Sequence, residues 1–173
     1  MEGTREPMIL VTVGTDHHPF DRLVTWVDAW SGRNPEVEVI VQYGTARRPV
    51  HAEGHDLVTA EAFRALLARA DAVVCAGGPG AIMEARAHGI LPIVVPRRAE
   101  FGEHVDDHQR AFATFMAERG AVTVVEEADG LVAELDRVLA EPSVRRIGTA
   151  ADAGVGIERI GTLIDALVHG GRR

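Results

Sequence analysis

The sequence predicts one α/β domain, a parallel β-sheet with helices packed on both faces. Three observations carry that prediction. Short β-branched runs alternate with segments of helical spacing along the chain. The runs are apolar without a polar alternation, as in strands covered on both sides. Glycines follow two of them directly, at Gly14 and Gly77, where a parallel strand turns into its crossover connection.

The elements follow in order. Residues 8–13 are a β-branched strand ending at Gly14. Residues 20–30 carry Leu23, Val24, Val27 and Trp30 at helical spacing and stop at Ser31-Gly32. A second strand spans 37–42, and Leu57-Val58 reads as a short third. A helix over 60–70 places Phe63, Leu66 and Leu67 on one face. A strand over 72–76 leads through the glycine cluster to a helix over about 81–88. Another strand covers 91–95, and a polar loop, 96–107, leads to a helix over about 108–119. A strand over 122–125 and a helix over 130–139 follow. The last helix, about 157–168, aligns Ile157, Ile160, Ile164, Leu167 and Val168 on one side.

Length and charge narrow the function. The 173 residues suit a single domain, 1–173 with its core over about 8–168. A net charge of −8, with no basic run longer than the pairs Arg47-Arg48 and Arg97-Arg98, argues against a nucleic-acid partner. Cys75, the only cysteine, excludes an intrachain disulfide and suits a reducing, cytoplasmic setting. No segment approaches the roughly 20 apolar residues that cross a bilayer.

Ligands of parallel sheets sit beyond the carboxyl ends of the strands, here the loops after residues 13, 76 and 95. Gly14-Thr15 lacks the dinucleotide fingerprint, and no Gly-Lys-Ser/Thr phosphate loop occurs. The pair still suits a phosphate at a helix N-terminus, or an ordinary turn. Gly77-Gly78-Pro79-Gly80 lets a backbone approach a ligand closely, and Pro79 suits a helix start. Glu84 then offers two oxygens to the hydroxyls of a ribose, or is a solvated glutamate of the first turn. His104 and His108, with Glu103, Asp106 and Asp107, suggest a metal site. Without a zinc motif, hydrogen bonding to a polar ligand ranks above it. Gln109 suits sugar hydroxyls. His17, His18 and Arg97 are weaker candidates that suit solvent equally well. Cys75 reads as a core residue.

Taken together, Val11-Thr-Val-Gly-Thr15, Gly77-Gly-Pro-Gly-Ala-Ile-Met-Glu84, Gly89-Ile-Leu-Pro-Ile-Val-Val-Pro96 and His104-Val-Asp-Asp-His-Gln109 resemble one family. It is the C-terminal, donor-binding domain of family 28 glycosyltransferases, the MurG-like family. The likeness leans to the stand-alone catalytic subunits of two-part N-acetylglucosaminyltransferases and their bacterial exopolysaccharide (PssE-type) counterparts. The resemblance implies a Rossmann-like GT-B half-domain that binds a UDP-sugar. It assigns Glu84 to the ribose, Gln109 with His108 to the donor sugar, and Gly14 and Thr15 to the diphosphate. Gly77, Gly78 and Gly80 go beside the nucleotide, and Arg97 and His104 follow as weaker donor contacts. It implies an inverting transferase with no cofactor or bound metal and a lipid-linked sugar acceptor. A membrane-anchored acceptor-binding subunit would bring the chain to the inner face of the membrane. The general base is expected from that acceptor half, with His17 and His18 as weak catalytic candidates on this side. A non-catalytic nucleotide-binding regulatory module and a 2-epimerase-like enzyme are the alternatives.

Overall fold

The structure, a computed structural model, describes residues 6–148. Among them lie β1 (Met8–Thr12), β2 (Glu38–Gln42), β3 (Glu53–His55), β4 (Ala72–Cys75), β5 (Ile93–Val94) and β6 (Thr123–Val124). The α-helices are α1 (Asp21–Arg33), α2 (Ala60–Arg69), α3 (Pro79–Ala87), α4 (His108–Glu118) and α5 (Ala128–Ala140). Every strand pairing is parallel, and the lateral order is β3-β2-β1-β4-β5-β6. This is a Rossmann-like half-domain. The order reverses between β1 and β4, so their connections leave in opposite directions and open a crevice at the carboxyl ends.

The pleat divides the core into two layers. Ile9, Val11, Val74 and Ile93 face Leu23, Val27 and Trp30 of α1 and Leu131, Leu135 and Val138 of α5. On the other side, Met8, Leu10 and Val73 meet Leu67 of α2 and Ala85 of α3. Cys75 and Val94 meet Ile82 of α3 and Ala113 and Met116 of α4. Neighbouring residues of one strand thus serve opposite layers, which is why the strands read as unbroken apolar runs. Trp30 is buried, and its indole N–H donates to Asp136 Oδ1 at 2.9 Å, tying α1 to α5.

Three expectations change. The third strand is Glu53–His55, not Leu57-Val58; it pairs on one side only, with β2, so its sequence needs no apolar run. Leu57 is exposed, and Val58 lines the cleft described below. Helix α1 continues through Ser31-Gly32, because Gly32 makes room for a ring and does not end the helix. A Cβ there would stand 2.9 Å from His51 Cδ2. Helix α3 starts at Pro79, two residues before the expected boundary. Glu84 is therefore its sixth residue, beyond the first turn where the dipole favours a carboxylate. The helix expected over 157–168, with Ile157, Ile160, Ile164, Leu167 and Val168, lies outside the described residues. Among the described residues, no helix is long and apolar enough to cross a membrane.

Candidate functional site

A cleft of about 610 Å³ opens where β1, β2 and β4 end. Thr12 and Gln42, both buried, form its polar floor. Gly14, Thr15 and Asp16 make one wall, and Gly78, Pro79, Gly80 and Ala81 the opposite one. Val58, Ala60 and Phe63 supply an apolar side, and Gln109 closes the cavity. None of the described residues lining it is Lys or Arg. An anion held here must rely on hydrogen-bond donors and helix ends.

Gly14 adopts φ 79°, in the left-handed region that favours glycine. Its N–H donates to Thr12 Oγ1 at 3.1 Å, so it is already used inside the turn. Helix α1 begins only at Asp21, with that acidic residue in its first turn. Gly14 and Thr15 thus line the cleft without the helix N-terminus expected behind them. The N-terminus of α3 takes that place. Its N-cap is Gly78, with no side-chain cap, and no acidic residue stands in its first turn. The first N–H groups of a helix have no partner within it, and here they open on the cleft wall.

The glycines of this turn differ in purpose. A Cβ on Gly77 would stand 2.8 Å from Gln109 O and 3.0 Å from Gln109 Cβ. Gly77 therefore clears space for the start of α4, not for a ligand. A Cβ on Gly80 would meet nothing within 4 Å, and one on Gly78 only Gln109 Nε2, at 3.9 Å. These two leave the cleft open. Gln109 Oε1 is buried and accepts no hydrogen bond from the described residues. A buried acceptor without a donor costs about 1–3 kcal/mol, which a ligand hydroxyl in the cleft would recover.

Other expected residues stand further out. Glu84 is outside the cleft lining, and its Oε1 lies 3.3 Å from Arg64 Nη2. His108 is 84% exposed, with Nδ1 2.7 Å from Asp106 Oδ2. His104 is more sheltered, 3.4 Å from both Asp16 and Asp106. Arg97 is corrected most. It has no exposed surface, and its guanidinium donates to the carbonyls of Val13 (2.7 Å), His18 (2.7 Å) and Glu103 (2.9 Å). Its guanidinium holds the loop after β1, and Arg97 is not part of the cleft lining. Glu103, also buried, forks onto Arg22 through two 2.8 Å bonds and accepts from Arg98 N–H, which removes it from the suggested metal set. Burial alone pushes the Cys75 thiol up to about 12, in keeping with a core residue.

Sequence reading passed over Thr12, Gln42 and Asp16. The first two each end an apolar strand with a polar side chain, a signal visible in the sequence. Asp16, His17 and His18 can each bring one ligand atom within 4.8 Å of the others. Much of that set is engaged internally, since His18 Nδ1 lies 2.6 Å from Asp16 Oδ1.

The comparisons with known proteins agree with one another on the fold. The family model described as glycosyltransferase family 28 C-terminal domain matches residues 8–155. A UDP-N-acetylglucosamine--N-acetylmuramyl-(pentapeptide) pyrophosphoryl-undecaprenol N-acetylglucosamine transferase of Burkholderia mallei is 43% identical over 68 residues, 39% of this chain and 17% of that protein. Its namesake in Cupriavidus metallidurans is 33% identical over 95 residues, 55% of this chain and 26% of that protein. The chain thus matches about a sixth to a quarter of these relatives' length. Among solved structures, MurG of Acinetobacter baumannii superposes with TM-score 0.57 at 20% identity, over 83% of this chain and 44% of that one. ALG13 superposes with TM-score 0.57 at 17% identity, over 84% of this chain and 90% of that one. At these identities the likeness concerns the fold.

Proposed function

Since this chain belongs to the glycosyltransferase family 28 C-terminal domain family, we propose that it is the UDP-sugar-binding, catalytic subunit of a two-component inverting glycosyltransferase. It moves a hexose or N-acetylhexosamine onto a lipid-linked acceptor in polysaccharide or glycoconjugate synthesis. One observation carries the reading: the uncapped N-terminus of α3 and the free carbonyl of Gln109 face one cleft at the point where the strand order reverses. The helix end suits the diphosphate, and it stabilises the negative charge that grows as UDP departs. No metal is needed for that step, and no cofactor is assigned. Gly14, Thr15, Gly78 and Gly80 border the diphosphate, Val58 and Phe63 offer an apolar surface to the base, and Gln109 meets the sugar.

Glu84 receives the ribose in this reading by exchanging Arg64 for the two hydroxyls. The Arg64 pair is exposed and holds under about 1 kcal/mol. Hydrogen bonds to a charged group contribute about 1.5–3 kcal/mol, so Glu84→Ala weakens UDP binding by roughly tenfold or more. Calorimetry with UDP, in the presence and absence of EDTA, tests this. Unchanged affinity in the variant removes Glu84 from the site, and loss of binding with EDTA removes the metal-independent reading.

Gln109→Ala separates sugar from nucleotide. It is expected to weaken UDP-GlcNAc while leaving UDP within about twofold, because only the hexose reaches the Gln109 carbonyl. Equal losses for both ligands would show that the side chain shapes the pocket.

The acceptor site belongs to a partner. In this reading the described residues form the donor half, with the cleft at the carboxyl ends of the strands. The curated relatives are named for an undecaprenol-linked acceptor, which supports a lipid-linked one here. A chain of net charge −8 is repelled by anionic headgroups, so a membrane-anchored subunit supplies the address as well. Purified alone, the chain is expected to transfer no sugar to a lipid-linked acceptor, and to do so with its partner. Full transfer by the isolated chain would refute the two-component reading.

A further inference from the structure

Asp16, His18 and His104 form a cluster at the cleft to which donor binding gives no task. Asp16 lines the cleft. Its Oδ1 accepts the His18 backbone N–H at 2.7 Å and lies 2.6 Å from His18 Nδ1, while Oδ2 lies 3.4 Å from His104 Nε2. Burial opposes ionisation of this carboxyl. The two His18 bonds, with the nearby charge of Arg97, nevertheless hold it below its ordinary value. Asp16 is therefore a carboxylate at neutral pH, and a carboxylate only accepts hydrogen bonds. At 2.6 Å from an acceptor-only carboxylate, His18 Nδ1 carries the proton, and in the neutral form of the ring the lone pair is at Nε2.

The backbone of His18 is held as firmly as its ring. Its N–H is on Asp16, and its carbonyl accepts from the buried Arg97 at 2.7 Å. His17 has no such frame. It is exposed, its carbonyl accepts from Thr45 Oγ1, and its ring leans on His18 with centroids 4.0 Å apart. A histidine oriented through one nitrogen by a carboxylate, with the other nitrogen free, is the arrangement that makes an imidazole a base.

We propose that His18 is the general base of the transfer and Asp16 its positioning residue, so that the donor-binding half itself carries the proton acceptor. This rests on the reading of the cleft as a UDP-sugar site. His18 Nε2 takes the proton of the acceptor hydroxyl as its oxygen bonds to the anomeric carbon. The bond from that carbon to the β-phosphate oxygen breaks, and its electron pair leaves with UDP. The proton ends on the imidazolium, whose charge Asp16 balances. His104, on the second oxygen of the same carboxylate and 3.4 Å from Asp106, fixes Asp16 from the other side. Base catalysis by a positioned side chain contributes about 10²–10⁴-fold.

Two measurements test this on the chain itself, with UDP-GlcNAc as the probe. Nitrogen NMR of the histidine rings is expected to show His18 protonated at Nδ1, with Nε2 shifting when UDP-GlcNAc binds. Asp16→Asn is expected to redistribute the tautomer without abolishing binding, a change that a purely structural role would not produce. The second measurement is UDP release with water in the acceptor's place and protein in excess. His18→Gln is expected to slow release about 100-fold or more with affinity held within twofold, and to lose more than His17→Gln. Because the NMR experiment needs no turnover, it decides the question alone where water reacts too slowly. Failure of UDP-GlcNAc to bind by calorimetry would sink the donor-site reading itself. Binding with His18 Nε2 unmoved, or equal losses in the two histidine variants, would overturn the base alone.

Discussion

Replacing Arg97 by alanine is expected to destabilise the protein by about 4 kcal/mol, in the range reserved for broken buried networks. Three carbonyls, of Val13, His18 and Glu103, receive their donors from this one guanidinium. Each that stays buried without a donor costs about 1–3 kcal/mol, and water entering the space recovers part of it. The cavity adds to the loss, because Arg97 is fully buried and its guanidinium lies 4.8 Å from the Phe20 ring centroid. Burial acts to strip the proton from this arginine, and the charges of Asp16 and Glu103 act to keep it. The group stays protonated, since an ordinary arginine is far from neutral at physiological pH. For a domain of this size, 4 kcal/mol corresponds to a fall in Tm on the order of 10 °C. Urea unfolding and UDP calorimetry together separate two roles. Loss of UDP affinity with stability intact would restore Arg97 as a phosphate contact. Loss of stability in Arg97→Ala, only partly recovered in Arg97→Lys, is the expected result, because an ammonium cannot reproduce the fork over three acceptors.

The second large effect is at Gly77. In Gly77→Val the first carbon already meets Gln109 O at 2.8 Å and Gln109 Cβ at 3.0 Å. The atoms in the way are largely backbone, which cannot swing aside, so the start of α4 must move. Overpacking of this kind costs about 1–3 kcal/mol. The displacement also carries Gln109 away from the cleft, so UDP-GlcNAc affinity is expected to fall at least tenfold. Gly80→Ala is the control in stability: its Cβ meets nothing within 4 Å, and alanine gains about 0.5–1 kcal/mol over glycine inside a helix. A Gly77→Val protein as stable as wild type, judged by urea midpoint, would show that α3 and α4 do not depend on this contact.

The fold was legible because its signals are local. Ile9-Leu10-Val11 and Val73-Val74 announce buried strands through composition alone, and Leu23, Val27 and Trp30 announce a helix through spacing. Glu53–His55 was missed because an edge strand is held by one neighbour's backbone and asks little of its side chains. The cleft was legible in part. Gly14, Thr15, Gly78, Gly80 and Gln109, on loops that the sequence singles out, line it, as do Thr12 and Gln42, polar side chains among apolar strand residues that were passed over.

What the sequence by itself determined is the alternation of strands and helices, the family, and the loops on which a ligand would fall. The elements and their loops follow from neighbours along the chain, whose side chains repeat every 2 or 3.6 residues, and the family from the order of its motifs, Gly77 to Glu84 and His104 to Gln109 above all. What only the tertiary structure decided is the task of each polar residue. Arg97 and Glu103 sit in the loop region that reads as functional, yet three carbonyls and Arg22 consume them. His17 and His18 are equivalent in sequence, but Asp16 and Arg97 hold only His18, and Arg97 lies 79 residues away. A side chain's chemistry depends on which donors, acceptors and charges surround it, and those come from segments that only folding brings together.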